Sequence, residues 1–190
     1  YSERIMLFSL IDYDLHHSAL NNFSLTGNFT FGRSQLNASY EHRRNPYLTT
    51  RNALMGQTFE DLTELEEALL DLSLDEIAND RTAQSDTIRV GWNSRFGGFT
   101  LSADVVATDF SRTESSADVV GLEPHKTLYS SFQIRSTDIF GRGTYSGVML
   151  RLANSDSSDT TSLYWDNRFA FGSSWFLYPR LRLDLRKFSR

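Results

Sequence analysis

The chain predicts an all-β fold: an antiparallel, up-and-down transmembrane β-barrel of about nine strands, part of a larger barrel, with one helical loop insertion. Three observations carry this expectation. Apolar and polar residues alternate with period two over segments of about ten residues, the length of a tilted strand that crosses a bilayer. Connections alternate between long linkers near 14–21, 43–86, 110–125 and 153–160 and tight turns at Gly32-Arg33, Phe96-Gly97-Gly98, Phe140-Gly141-Arg142 and Gly172-Ser173. Aromatic residues collect beside the tight turns, where Phe29, Phe31, Trp92, Phe96, Phe99, Phe140, Phe171 and Trp175 would make a girdle at one membrane interface.

Taken in order, the segment from Arg4 to Tyr13 is apolar on both parities, so its faces are not assigned by pattern. From Asn22 to Gly32, Phe23, Leu25, Gly27, Phe29 and Phe31 oppose Ser24, Thr26, Asn28 and Thr30. Leu36, Ala38 and Tyr40 then oppose Gln35, Asn37, Ser39 and Glu41, and Gly32-Arg33 joins the two runs as a hairpin. The same alternation sets Ile88, Val90 and Trp92 against Arg89, and Phe99, Leu101, Ala103 and Val105 against Asp104. It sets Leu128, Phe132 and Ile134 against Arg135, Val148, Leu150 and Leu152 against Arg151, and Leu163, Trp165 and Phe169 against Asp166 and Arg168. The last segment places Leu177, Pro179, Leu181, Leu183 and Leu185 against Tyr178, Arg180, Arg182, Asp184 and Arg186.

Composition bounds the alternatives. The 190 residues make one domain-sized unit, and 39% are hydrophobic. No run approaches the roughly 20 apolar residues of a membrane-spanning helix, whereas barrel strands need no continuous run. There is no cysteine, so no disulfide framework or thiolate metal site is expected. A formal net charge of -5 argues against nucleic acid as a partner. The first residues from Tyr1 to Ile5 do not read as a targeting peptide, and we expect an export signal upstream. An odd strand count leads to the further expectation of more strands beyond Arg190.

Period alone does not say which face meets solvent, since a soluble barrel and a membrane barrel print the same pattern. With the apolar face toward lipid, Glu41, Arg89, Asp104, Arg135, Arg151, Asp166, Arg168, Arg180, Arg182, Asp184 and Arg186 line the lumen. There the arginines outnumber the carboxylates and suit anionic solutes or a polyanionic glycan. The competing reading is that these charges pair across strands and stiffen the wall, as Asp166 or Asp184 with neighbouring arginines.

The insertion at 43–86 carries the helical signal. Leu62, Leu65, Leu69 and Leu72 share one face of a helix at about 58–72, capped by Thr58, and a capping-box pattern at Ser73 to Glu76 predicts a short helix at about 74–79. The leucines suit packing on the barrel rim. In a second reading Glu64, Glu66, Glu67 and Asp71 make the segment a plug or lid that meets the arginines of the lumen.

The stretch Arg43-Arg44-Asn45-Pro46-Tyr47-Leu48-Thr49-Thr50-Arg51-Asn52-Ala53-Leu54-Met55-Gly56-Gln57, with Asp75-Glu76-Ile77, Asp80-Arg81-Thr82 and the closing Pro179 to Asp184, resembles the C-terminal barrels of certain bacterial outer-membrane proteins. Those proteins carry tetratricopeptide-type repeats upstream. The resemblance implies a bacterial outer-membrane protein with a periplasmic repeat region lying outside this sequence, and it brings no defined activity with it. Phosphate-loop, dinucleotide and nucleophile-elbow motifs are absent, and His16, His17, His42 and His125 show no metal-ligand spacing. The expected function is therefore an anchor or conduit in the outer membrane, for export of a polymer or passage of anionic solutes, without catalysis, cofactor or metal. Expected partners are outer-membrane lipid and the periplasmic repeats or envelope assembly proteins. The alternative is a soluble envelope β-barrel or sandwich that binds a small ligand or carbohydrate.

Overall fold

The computed structural model describes residues 4–15, 18–44, 58–68, 82–113, 121–171 and 175–188. Its elements are β1 (Arg4–Asp14), β2 (Ala19–Phe31), β3 (Ser34–Arg44), α1 (Leu62–Ala68), β4 (Gln84–Phe96), β5 (Phe99–Phe110), β6 (His125–Thr137), β7 (Tyr145–Ser155), β8 (Ser158–Phe171), β9 (Trp175–Leu177) and β10 (Arg180–Phe188). The strands form one antiparallel sheet in the order β1-β2-β3-β4-β5-β6-β7-β8-β10, with β9 also on β8. The expected up-and-down topology is therefore present. The sheet is open, its edges being β1 and β10.

β9 and β10 behave as a single strand. Phe169 faces Leu177 and Asp166 faces Arg180, so one register runs through both pairings. Pro179 has no N–H to donate, and the ladder lapses there. The Asn167 amide still donates to the Pro179 carbonyl at 3.1 Å.

Three connections differ from expectation. The link between β7 and β8 is the two-residue turn Asp156-Ser157, because Ser155 and Ser158 remain paired in strand. Cross-strand hydroxyl bonding explains the extension: Ser155 Oγ donates to the Ser158 carbonyl at 3.0 Å. The β1–β2 link is likewise confined to 15–18, whereas the β6–β7 turn occupies 138–144, more than a tight hairpin. There the Gly143 amide donates to Asp138 Oδ1 at 2.6 Å and Thr144 Oγ1 donates to the Gly141 carbonyl at 2.7 Å. Strict alternation of loop length thus fails, but the two extensive connections, 45–83 and 111–124, leave from the same end of the sheet.

Registers carry the predicted parities onto two continuous faces. One row crosses the whole sheet through Ile5, Phe29, Leu36, Trp92, Ala103, Phe132, Leu150, Leu163 and Leu183. A one-residue slip in any strand would break this row, so the apolar pattern fixes the register. The aromatics expected at the turn end, from Phe29 to Trp175, share this face on every strand that bears them.

Nothing covers the apolar face among the described residues. Along β7 and β8, Val148, Leu150, Leu152, Leu163 and Trp165 are exposed, whereas Met149, Arg151, Ala153, Tyr164 and Asp166 on the opposite face are half-buried and Ser162 is buried. Burial is thus inverted relative to a soluble sandwich. The only fully buried apolar side chain among the described residues is Leu65 of α1. β3 departs locally from this inversion: Leu36 and Tyr40 are half-buried, and the Phe23 ring packs 6.0 Å from that of Tyr40. Edge strand β1 exposes apolar side chains on both faces, with Leu7 at 68% and Phe8 at 65%.

Candidate functional site

The site is the polar face, built by strand parity alone. Glu41 lies opposite Thr87, Arg89 opposite Val106, and Asp104 opposite Ser131. Arg135 faces Gly147, Arg151 faces Ser162, and Arg168 faces Tyr145. On the last ladder Asp166 faces Arg180, Tyr164 faces Arg182, Ser162 faces Asp184 and Thr160 faces Arg186. Cross-strand partners share a face, so every candidate charge read from the sequence stands on the same side of the sheet.

The charges are not held as cross-strand ion pairs. Arg182 Nε lies 2.7 Å from Asp184 Oδ2, but these are neighbours along one strand. Asp166 and Arg180 are in register without forming an ion pair, and Asp166 instead converges with the Tyr145 hydroxyl over Gly147. The guanidinium groups rest on aromatic rings. Arg151 sits 5.1 Å from the Tyr129 ring and 5.5 Å from Tyr164, and Arg182 is 5.1 Å from Tyr164 as well. Arg168 lies 4.0 Å from the Phe176 ring and 5.9 Å from Tyr178. Ring quadrupoles attract cations without neutralising them, so this packing orients the arginines and leaves their charge unbalanced.

The sequence pattern puts Tyr164 and Tyr178 on the polar face without revealing their role as platforms, and Tyr129 and Phe176 were missed. Their signal was present: Tyr129, Tyr164, Phe176 and Tyr178 occupy the polar parity of their strands, where an aromatic ring has no apolar partner to explain it.

Close backbone approach makes room for the polar layer. A Cβ added at Gly147 would stand 2.7 Å from the Tyr145 hydroxyl and 2.9 Å from Asp166 Oδ1. At Gly91 the flanking atoms are Asn37 Oδ1 and Asp104 Oδ1, in the same row of the same face. A side chain at either place would displace these polar groups from where they lie across the glycine backbone.

No protein-family model matches the chain, and no curated protein matches it.

A second set of charges lies on the apolar face, confined to the end from which the long connections leave. Asp86 Oδ1 accepts from the Tyr40 hydroxyl at 2.6 Å and meets His42 Nδ1 at 2.9 Å. Its row continues through Asp109 to Lys126, whose Nζ is 2.8 Å from Asp109 Oδ2. His42, which has no partner at a suggestive sequence spacing, is thus partnered across strands. His125 stacks on Phe110, with ring centroids 4.3 Å apart. His16 and His17 lie outside the described residues.

The insertion is partly described. Helix α1 starts at Leu62 rather than near Thr58, because Asp61 is the cap: its Oδ1 accepts from the amides of Thr63 at 2.9 Å and Glu64 at 3.0 Å. Leu62 is half-buried, and Glu64 and Glu67 are exposed. Leu69, Asp71, Leu72 and the expected helix at 74–79 lie outside the described residues, as does the Glu66 side chain.

Proposed function

We propose that the chain forms part of the wall of a bacterial outer-membrane β-barrel, an anchor and conduit whose polar face lines a wet lumen. The observation that supports this best is the uncovered apolar row spanning every strand of a single-layer sheet, from Ile5 to Leu183. Water would penalise such a face at about 25 cal/mol per Å² of apolar surface, whereas acyl chains cover it without cost. Aromatic residues bound the band at the turn end, and the charges from Asp86 to Lys126 bound it at the other, as the two interfaces of a bilayer require. Membrane barrels put extended loops on one side, which suits the shared exit of 45–83 and 111–124.

In this reading the open edges β1 and β10 pair with further strands. β1 and β10 stand first and ninth in an alternating antiparallel order, so they run in the same direction. Antiparallel closure takes an additional strand between them. The resemblance noted above adds a periodic repeat region on the periplasmic side, which would deliver a polymer or solute to the lumen.

Fractionation of the full-length protein tests the proposal. It should sediment with membranes, resist salt and carbonate washes and dissolve only in detergent. Recovery as a stable, detergent-free soluble species would contradict the reading and favour the envelope ligand-binding alternative.

A further inference from the structure

We propose that the β6–β10 half of the polar face is a binding track for an anionic polymer, recognised through repeated oxyanion groups. This rests on the conduit reading for access, since a solute reaches that face from the lumen. Arg135, Arg151, Arg168, Arg180, Arg182 and Arg186 stand there against Asp166 and Asp184, so positive charge predominates. Positive charge predominates here although the chain as a whole carries -5.

Three features argue for a ligand rather than wall stiffening. First, aromatic rings position the guanidinium groups of Arg151, Arg168 and Arg182 without consuming their charge, and only Arg182 has a carboxylate partner. Second, neither Arg151 nor Arg168 forms an ion pair among the described residues, so both keep a charge on the polar face that an oxyanion balances through the terminal N–H groups. Third, a recess of about 640 Å³ opens at the turn end of the track, where Arg168 and Arg180 stand with Asp138, Tyr145, Asp166 and Tyr178. On β10, Arg180 and Arg182 stand two residues apart, roughly 7 Å, Arg186 follows beyond Asp184, and adjacent strands lie about 4.8 Å apart. Repeated cations at such spacings suit a multivalent chain better than a single ion. Tyrosine faces between them add contact surface for the backbone of that chain.

The test is titration calorimetry on the folded full-length protein in detergent micelles, with polygalacturonate and polyphosphate as carboxylate and phosphate probes and dextran as the uncharged control. At least one polyanion should bind, with affinity falling as salt is added, and dextran should not. Arg151→Gln with Arg168→Gln should weaken binding by at least about tenfold. The corresponding lysine pair, which keeps charge but loses the planar fork, should fall between. Arg142→Gln, in the β6–β7 turn, should bind as the parent does. The inference is overturned if neither polyanion binds, if dextran binds equally, or if the glutamine pair binds unchanged while its far-ultraviolet dichroism is that of the parent. Any of these in a chain whose tryptophans still contact lipid counts against the track alone. Tryptophans in water instead count against the membrane reading.

Discussion

Leu150→Arg should destabilise the folded protein in lipid by about 2–4 kcal/mol, the cost of a cation on the lipid face near the bilayer midplane. Leu150 occupies the middle of β7, paired with Phe132 and Leu163 on the apolar face. It is already exposed, at 39%, so little packing within the protein is lost. The penalty arises from the solvent that meets the face. Equilibrium unfolding in guanidinium, followed in vesicles by tryptophan fluorescence, measures it. If water met this face, the same substitution would change stability by about 0.5 kcal/mol or less. A matched exchange at Met149, one residue along and on the opposite face, serves as the contrast, because in the proposed barrel that face looks into the lumen, which accepts charge.

Gly147→Val should cost about 1–3 kcal/mol, for steric reasons on the other face. The added carbons would occupy the space where the Tyr145 hydroxyl and the Asp166 carboxylate meet, both within 2.9 Å of the new Cβ. Tyr145 belongs to the same strand and Asp166 to the strand paired with it, so relief requires turning the tyrosine ring and swinging the carboxylate away. The same guanidinium titration reads the loss. No change in midpoint would mean that the polar layer over Gly147 is loosely packed, and the arginine positions with it.

Most of the fold was legible from the sequence because a β-strand has a fixed two-residue period, and this chain keeps it through the strand centres after β1, whose two faces are both apolar. Arg151 between Leu150 and Leu152, or Arg182 between Leu181 and Leu183, is enough to assign a face. The turns were less legible. Asp156-Ser157 closes a tight hairpin because the Ser155 hydroxyl donates to the Ser158 carbonyl and accepts from the Ser158 amide, and a polar run of Asn, Ser and Asp reads equally as loop. The helix start depended on which acidic or hydroxyl residue caps it, and Asp61 outcompetes Thr58 by reaching two amides at once. At the candidate site the charged residues were readable one by one, while their partners were not. Period two shows that Arg151 and Tyr164 share a face, but only cross-strand register brings the guanidinium onto that ring. For the same reason the His42–Asp86 pair, 44 positions apart in the chain, left no local sequence signal.

The central claim is that the face bearing Leu150, Leu163 and Leu183 meets hydrocarbon. Its most direct measurement uses the native tryptophans, since Trp92, Trp165 and Trp175 all lie on that face and no other tryptophan competes. With the protein folded into vesicles, lipids brominated along the acyl chain should quench most of the tryptophan emission, and aqueous iodide should quench little. Strong iodide quenching with no response to the brominated lipids would contradict the account.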